Sequence, residues 1–447
     1  MKIKISKGAE FVLKRLESHN EEGYIVGGCV RDFLLNIEPS DFDVTTSASP
    51  SKIEEIFSDC KLITLGKEFG TIGVLIDGEV IETTTFRKDG DYLDGRHPEK
   101  VEFSTNLKED LMRRDFTINS MAMDIRGKLF DYFGGKDDLL KGIIKTVRDP
   151  LERFTEDKLR ILRGVRFSNR FDFKIEENTF KAMKNMASKI KEVSKERIQE
   201  ELNKILLSNT PKRGVEILLE TKLLENIFPE LMPTVGYDQM SPYHHKDLFK
   251  HTLCVVESVD KKIHLKYAAL FHDVSKVDTL SIDEDGVGHF YGHDELGAKV
   301  CEEALKRLKY DNKTIKNAKL LIQKHMKVPK EIGKKGQKRL LNALGEELIF
   351  DLINLCIGDL LCTRDDRDPT YLYEIRNSIK EIINSKVAIN KEGLALNGND
   401  LMEIGYKQGI KLGNTLDYLT ELVIDDESLN NKDTLLKIAK KKLTEDI

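Results

Sequence analysis

Short apolar runs broken by turn residues occupy the first 140 residues, and longer helical repeats take over after about residue 145. Tyr24-Ile25-Val26 runs into Gly27-Gly28, and Val30 to Asn36 then reads as a helix. Phe42-Asp43-Val44-Thr45-Thr46, Thr71 to Ile76 and Glu79 to Phe86 are rich in β-branched residues and predict strands. Beyond residue 145 glycine becomes scarce and apolar residues recur at amphipathic-helix spacing. Pro150 marks the change, while Pro211, Pro229, Pro233 and Pro242 punctuate 210–242 as a hinge. Ile383 to Ile447 reads as a lysine-rich helical tail, loosened where Gly393, Gly398, Gly405, Gly409 and Gly413 fall. The pattern predicts an α+β chain: a small mixed-sheet head over 1–145, then all-α segments over 146–210, 211–240, 241–375 and 376–447.

The 447 residues are 40% hydrophobic and 33% charged, as in a soluble globular protein of several domains. No apolar run approaches the roughly 20 residues that a membrane helix needs. Met1-Lys2-Ile3-Lys4-Ile5 has no signal-peptide core, so a cytoplasmic location is expected. Cysteines 29, 60, 254, 301, 356 and 362 are scattered singly, and are expected to be reduced, mostly buried thiols. The net charge of −5 conceals an asymmetry, because Lys and Arg outnumber Asp and Glu by 19 to 11 between residues 141 and 213. A basic segment beside an acidic head suits a polyanion such as RNA, although a solvated helix surface gives the same count.

Candidate chemistry starts at Asp41 and Asp43, in Pro39-Ser40-Asp41-Phe42-Asp43-Val44. In a strand, side chains at i and i+2 share a face, so both carboxylates are expected to project together. Hard Mg²⁺ ions bound by carboxylate and phosphate oxygens would supply their counter-charge. The turn Gly27-Gly28-Cys29-Val30-Arg31-Asp32 just upstream allows a triphosphate close to the backbone. Glu82, on a following strand, is a candidate third carboxylate, with an exposed strand glutamate as the plainer reading. Two further motifs follow in order: Arg113-Arg114-Asp115-Phe116-Thr117-Ile118-Asn119, and Glu156-Asp157-Lys158-Leu159-Arg160-Ile161-Leu162-Arg163-Gly164-Val165-Arg166. On one helix Asp157 and Arg160 would be neighbours, offering acceptors and planar donors to a base edge. Arg163 and Arg166 continue at helical spacing and suit phosphates. The plainer alternative for Asp157 and Arg160 is a surface ion pair.

These motifs, with Ser194-Lys195-Glu196-Arg197-Ile198-Gln199-Glu200-Glu201-Leu202, resemble those of class II tRNA nucleotidyltransferases, the family of CCA-adding enzymes and bacterial poly(A) polymerases. The resemblance runs from about Tyr24 to Leu206. It implies a polymerase-β-like nucleotidyltransferase head followed by an elongated all-α neck. It also implies that Gly27, Gly28 and Arg31 contact the triphosphate and that Asp41 and Asp43 bind Mg²⁺. Arg113, Arg114 and Asp115 would engage ribose and phosphate, with Asn119 nearby. Asp157 and Arg160 would select C or A, so that CTP, ATP and the tRNA 3′ end become the expected partners. Lys88 to Pro98 reads as a polar, glycine-rich loop. In the family a loop here is associated with the terminal A, which argues against a CC-only enzyme.

Eight of the ten histidines fall between 244 and 325. His251, His272-Asp273, His293, His325 and Asp359 are spaced so that separate helices could bring them to a divalent metal. This segment resembles the HD phosphohydrolase superfamily, whose pattern maps to His251, His272, Asp273 and Asp359. His293 and His325 match the extra histidines of its two-metal members. That resemblance implies a transition metal and phosphoester hydrolysis, the alternative being a vestigial packing or RNA-docking domain.

The leading expectation is therefore template-independent CCA addition. An A-adding enzyme or a poly(A) polymerase is the near alternative. A protein uridylyltransferase, which also joins a nucleotidyltransferase to an HD domain, and a non-catalytic RNA-binding protein are more distant ones.

Overall fold

A computed structural model describes residues 5–89, 101–239, 247–363, 367–385 and 390–445. The chain divides into two compact units, Met1–Pro229 and Glu230–Ile447.

The first unit opens with helix α1 (Lys7–Ser18), started by the Ser6 hydroxyl, which accepts from the Ala9 amide. Its Ala9, Val12, Leu13 and Leu16 lie on one buried stripe. Each large side chain buried this way contributes about 1.5–3 kcal/mol. Strand β1 (Gly23–Val26), helix α2 (Gly28–Leu34), strand β2 (Asp43–Thr46), helix α3 (Pro50–Ile56) and strand β3 (Lys61–Ile63) follow. Strands β4 (Thr71–Ile76) and β5 (Glu79–Thr85) form a hairpin whose turn residues, Asp77 and Gly78, both have positive φ. A second hairpin pairs β6 (Arg87–Asp89) with β7 (Val101–Phe103). After helix α4 (Leu107–Met112) come β8 (Met121–Met123) and β9 (Leu129–Asp131). The main sheet has the order β3-β4-β5-β2-β1-β8-β9 and is mixed, because β2 runs parallel to β5 while the other neighbours are antiparallel. Its register sets Asp43 beside Glu82. Ile25, Val44, Ile72, Val74 and Ile81 from the sheet share one core with Leu13, Leu16, Ile53 and Phe57.

The remainder of this unit is mainly helical, as its spacing predicts: α5 (Gly135–Lys141), α6 (Pro150–Glu156), α7 (Leu159–Phe171), α8 (Glu177–Met186), α9 (Lys195–Leu206), α10 (Pro211–Glu220) and α11 (Leu223–Ile227).

The second unit begins its long helices with α12 (Leu248–Ser258) and α13 (Ile263–Phe271). From Leu265 to Phe271 every α13 residue is buried, so it forms the centre of a bundle. Lys266, buried within it, donates to the Val256 and Val259 carbonyls at 2.6 and 2.7 Å, which satisfies the end of α12. Helices α14 (His293–Arg307), α15 (Asn312–Lys324) and α16 (Lys334–Thr363) follow, the last broken by a non-helical Gly345. Helices α17 (Thr370–Asn384), α18 (Gly398–Glu403), α19 (Ile410–Asp425) and α20 (Lys432–Glu445) complete the chain. Among the described residues no helix is long and apolar enough to cross a membrane.

The expectation of six reduced thiols is corrected for two of them. Cys254 of α12 and Cys362 of α16 form a disulfide, with Cα atoms 5.7 Å apart. The two helices pack against each other and bring together positions 108 residues apart in sequence. Cys29, Cys60, Cys301 and Cys356 are free, and all but Cys60 are buried.

Candidate active site

A cleft of about 450 Å³ gathers Gly27, Gly28, Arg31, Asp41, Asp43, Arg113, Arg114, Asp115, Asn119, Asp157, Arg160, Arg163 and Arg166. All were singled out from the sequence. Eight arginines against five aspartates line it, a balance that suits an anionic ligand. Gly27 begins α2 with φ +79, and a Cβ there would come within 2.9 Å of the Arg114 guanidinium. A side chain at 27 would therefore be strained in backbone and crowded at once.

Asp43 opens β2, but Asp41 does not share that strand. It lies in the irregular segment just before it, where Ser40 Oγ donates to its carboxylate at 3.0 Å. The strand-face argument for the pair is corrected accordingly; what brings Asp41 to the cleft is the turn into β2, not strand alternation. Asp43 remains solvent-accessible, yet crowding and lost hydration, aided by the Glu82 and Asp41 charges and opposed by Arg114, raise its pKa to about 6. Glu82 is exposed on the neighbouring strand and is not among the residues lining the cleft. Asp41 and Asp43 put hard oxygen donors at one edge of the cleft, and that chemistry fits a hard divalent cation.

The arginine wall is anchored from behind. Arg31 bonds Asp32 at 2.8 Å and Asn119 at 2.6 Å, and lies over the Phe171 ring at 4.7 Å. Burial lowers its pKa against the pull of Asp32. Arg163 grips buried Asp115 through Nε at 2.7 Å and Nη2 at 2.6 Å. Asp115 also accepts from the Phe116 amide and from Asn119 at 2.8 and 3.2 Å. Burial works against its charge, but Arg163 and then Arg160 bring its pKa down to about 2. Arg166 pairs with buried Glu201 at 2.5 Å and crosses Phe167 at 4.1 Å. Arg113 and Arg114 share Asp110, fully buried on α4.

Asp157 and Arg160 do not form a helical i,i+3 pair. Asp157 is the extended residue between α6 and α7, and its carboxylate accepts from the Leu159 amide at 3.0 Å, as aspartate does when it starts a helix. Its partner is Arg197 of α9, which donates to both oxygens at 3.2 and 2.8 Å. Arg160 instead bonds Glu156 at 2.5 Å and the Arg153 and Arg113 carbonyls at 3.1 Å each. Five N–H groups are available to a guanidinium, so Nε–H and one Nη2 hydrogen of Arg160 remain outside these bonds.

The second unit brings its predicted ligands together. His251 projects from α12, His272 and Asp273 follow α13, His293 begins α14, His325 follows α15, and Asp359 lies on α16. Two groups result, His251–His272–Asp273–Asp359 and Asp273–His293–His325, with ligand atoms in each within 4.8 Å of one another. Asp273 belongs to both. His251 Nε2 is 3.0 Å from Asp359 Oδ1, and His293 Nε2 is 3.4 Å from Asp273 Oδ1.

The rings are pre-set. Nδ1 of His272, His293 and His325 meets the Ala269, Phe290 and Ile322 carbonyls at 2.8, 2.6 and 2.6 Å. A carbonyl only accepts, so Nδ1 carries the proton and Nε2 turns inward. That brings Nε2 of His293 and Nε2 of His325 to 3.3 Å from each other, an arrangement of two lone pairs that asks for a cation. Burial disfavours charge on His272, but Asp273 and Asp359 pull its pKa up to about 10; a divalent ion would take that proton's place.

Comparison with known proteins bears on both units. The family model described as "Poly A polymerase head domain" matches residues 23–145. "Probable RNA and SrmB- binding site of polymerase A" matches 172–234, and the tRNA nucleotidyltransferase domain 2 model matches 295–439. The CCA-adding enzyme of Staphylococcus saprophyticus is 33% identical over 439 residues, covering 97% of each chain. This chain belongs to the CCA-adding enzyme family. The Oceanobacillus iheyensis member is 46% identical over 216 residues, 48% of this chain and 54% of its own. The crystal structure of the Bacillus stearothermophilus CCA-adding enzyme in complex with CTP superposes with a TM-score of 0.72 at 26% identity, covering 98% of this chain and 97% of that one.

Within this CCA-adding family member several cleft residues escaped sequence reasoning. Arg170 continues the Arg163, Arg166 spacing and lines the cleft. Arg197, which lines the cleft and pairs with Asp157, and Glu201, which pairs with Arg166 behind it, sit four residues apart in the Ser194 to Leu202 motif, a spacing that puts both on one helix face. Asp32, which lines the cleft, stood in the glycine-turn motif without a role, and Asp110, which lies behind the cleft under Arg113 and Arg114, carried no signal. Of the predicted loop, Lys88 and Asp89 lie in β6, while residues 90–98, like His244 and His245, lie outside the described residues.

Proposed function

We propose that this chain completes the 3′ end of tRNA in the cytoplasm, adding C, C and A from CTP and ATP without a nucleic-acid template. One observation carries the reading: a single cleft joins the Asp41 and Asp43 corner to an arginine wall that ends at Asp157 and Arg160. Asp41 and Asp43, with Glu82 adjacent, would hold Mg²⁺, which when bound neutralises triphosphate charge and aligns the reacting groups. Arg31, Arg114, Arg163 and Arg166 receive phosphates, and Gly27 and Gly28 let them approach the backbone. The RNA 3′-hydroxyl attacks the α-phosphate and pyrophosphate leaves. The free donors of Arg160 and the carboxylate of Asp157 read the edge of C or A. Segment 146–210 serves as the base-selecting, RNA-facing neck. Transcripts ending before CCA, after CC, and complete, incubated with CTP and ATP separately and together, test this. Growth should stop at one terminal A. Extension by A alone, or an open-ended tail, would replace the reading.

We further propose that the His/Asp cluster is an HD-type phosphohydrolase centre. His251, His272, Asp273 and Asp359 would hold one divalent transition metal and Asp273, His293 and His325 a second; bound ions of this kind supply an activated water. The backbone-locked histidine rings support it. Mn²⁺- or Ni²⁺-dependent hydrolysis of a 2′,3′-cyclic nucleotide, lost in Asp273→Asn, is the expected result. Turnover unchanged by that substitution would sink the assignment.

A further inference from the structure

We propose that Cys254 and Cys362 form a redox clasp that sets the metal affinity of the His251–Asp359 side of the centre; the proposal rests on the metal reading given above. Cys254 follows His251 by three residues on α12, and Cys362 follows Asp359 by three residues on α16. Residues three apart on a helix share a face, so each sulfur lies one turn from a ligand on the same side of its helix. The covalent bridge and the 3.0 Å approach of His251 Nε2 to Asp359 Oδ1 are therefore two rungs between the same pair of helices.

A third contact shows where α16 depends on the bridge. A Cβ at Gly358 would come within 2.5 Å of Ser258 Oγ and 3.3 Å of Val259, so the helices already touch there. Beyond that point only the last turn of α16 remains, and it carries Asp359 and Cys362. With the bridge open, this turn is held by its packing alone, and Asp359 has more freedom to leave His251. The other thiol nearby, Cys356, is occupied with the His325 carbonyl at 3.3 Å.

Exposure orders the chemistry. Cys254 is half-buried, whereas Cys362 is 2% exposed. A Cys254 thiolate attacks a low-molecular-weight disulfide, forming a mixed disulfide and releasing one thiol. The Cys362 thiolate then displaces the second thiol and closes the bridge. Two protein thiols give up two electrons and two protons, and one external disulfide becomes two thiols. A small dithiol reverses the exchange.

The test uses the full chain equilibrated with glutathione disulfide or with dithiothreitol. Alkylation and mass spectrometry should find four free cysteines in the first state and six in the second. Titration with Mn²⁺ should show binding about 10-fold tighter in the oxidised state, the scale on which supporting groups tune metal sites. Cys254→Ala and Cys362→Ala should each bind like the reduced protein and ignore the redox state. Nucleotide incorporation into tRNA should be the same in both states. Equal Mn²⁺ affinity despite a thiol count that moves from six to four overturns the clasp and leaves the metal centre standing. A thiol count that does not respond overturns it as well. Binding in neither state, or binding that survives Asp273→Asn, removes the metal centre and the clasp with it. A purely structural bridge would shift thermal stability and leave affinity where it was.

Discussion

Replacing Asp115 by Asn tests how firmly the arginine wall is anchored. The substitution keeps the shape but removes the charge that Arg163 grips through two bonds and turns one acceptor into a donor facing it. Folded, the Asp115 carboxyl is brought down to about 2, below its ordinary value of 3.8, because Arg163 and Arg160 offset the cost of its burial. That difference corresponds to about 2 kcal/mol of native-state stabilisation at neutral pH. Because the folded pKa is the lower one, the contribution is present above the unfolded value and is lost as pH falls through the folded value. About half should remain at pH 3. Half-buried Arg163, left without its carboxylate partner, adds to the loss at pH 7. Calorimetry of wild type and variant should show the transition of the first unit lowered by several degrees at pH 7, with roughly 2–4 °C for each kcal/mol in a unit of this size. The gap should narrow as the pH is brought from 5 towards 3. A variant that melts with the wild type at pH 7, or a gap that stays constant down to pH 3, would refute the anchoring argument.

Other outcomes follow from the same geometry. Asp43→Asn should reduce nucleotide incorporation by at least about 10³-fold. In the wild type at limiting Mg²⁺, incorporation should fall as pH drops through about 6, where Asp43 takes up its proton. Since that folded pKa is raised, metal-free wild type loses stability as pH rises through the same value. Asn at 43 should therefore melt slightly higher at pH 7.5, by about 1 kcal/mol or less after solvent screening. Arg197→Ala releases the Asp157 carboxylate from its two-bond hold and should relax discrimination of CTP from UTP by about 10-fold, read as the ratio of kcat/KM values. His325→Ala should lower bound Mn²⁺ from two ions per chain to one, measured by elemental analysis after gel filtration, because Asp273 then serves a single site.

Spacing along the chain revealed more about which residues meet than about how they meet. The glycine turn, both aspartates and all the predicted arginines converge on one cleft, and six distant His and Asp residues meet in a second centre. The motifs were legible because helices and strands have fixed periods. The details that differed belong to places where a period stops. Asp41 precedes its strand, and Asp157 interrupts what spacing presents as one continuous helix. Tertiary partners such as Asp110 beneath Arg113 and Arg114 leave no periodic trace. Cys254 and Cys362 are bridged across 108 residues, a proximity that only the packing of α12 on α16 creates.

Asp157 starts α7, and α7 carries Arg160, Arg163, Arg166 and Arg170. On the proposed reading, one carboxylate would join the origin of the helix that carries the phosphate-binding arginines to the point where a base is read. If Asp157 selects the base as proposed, a substitution there would also disturb the start of α7 and with it the arginines that α7 carries. On that reading, position 157 is poorly suited to gradual drift in nucleotide preference. The Arg197 that steadies it is the more open route, since it can alter the reading while leaving the helix start in place.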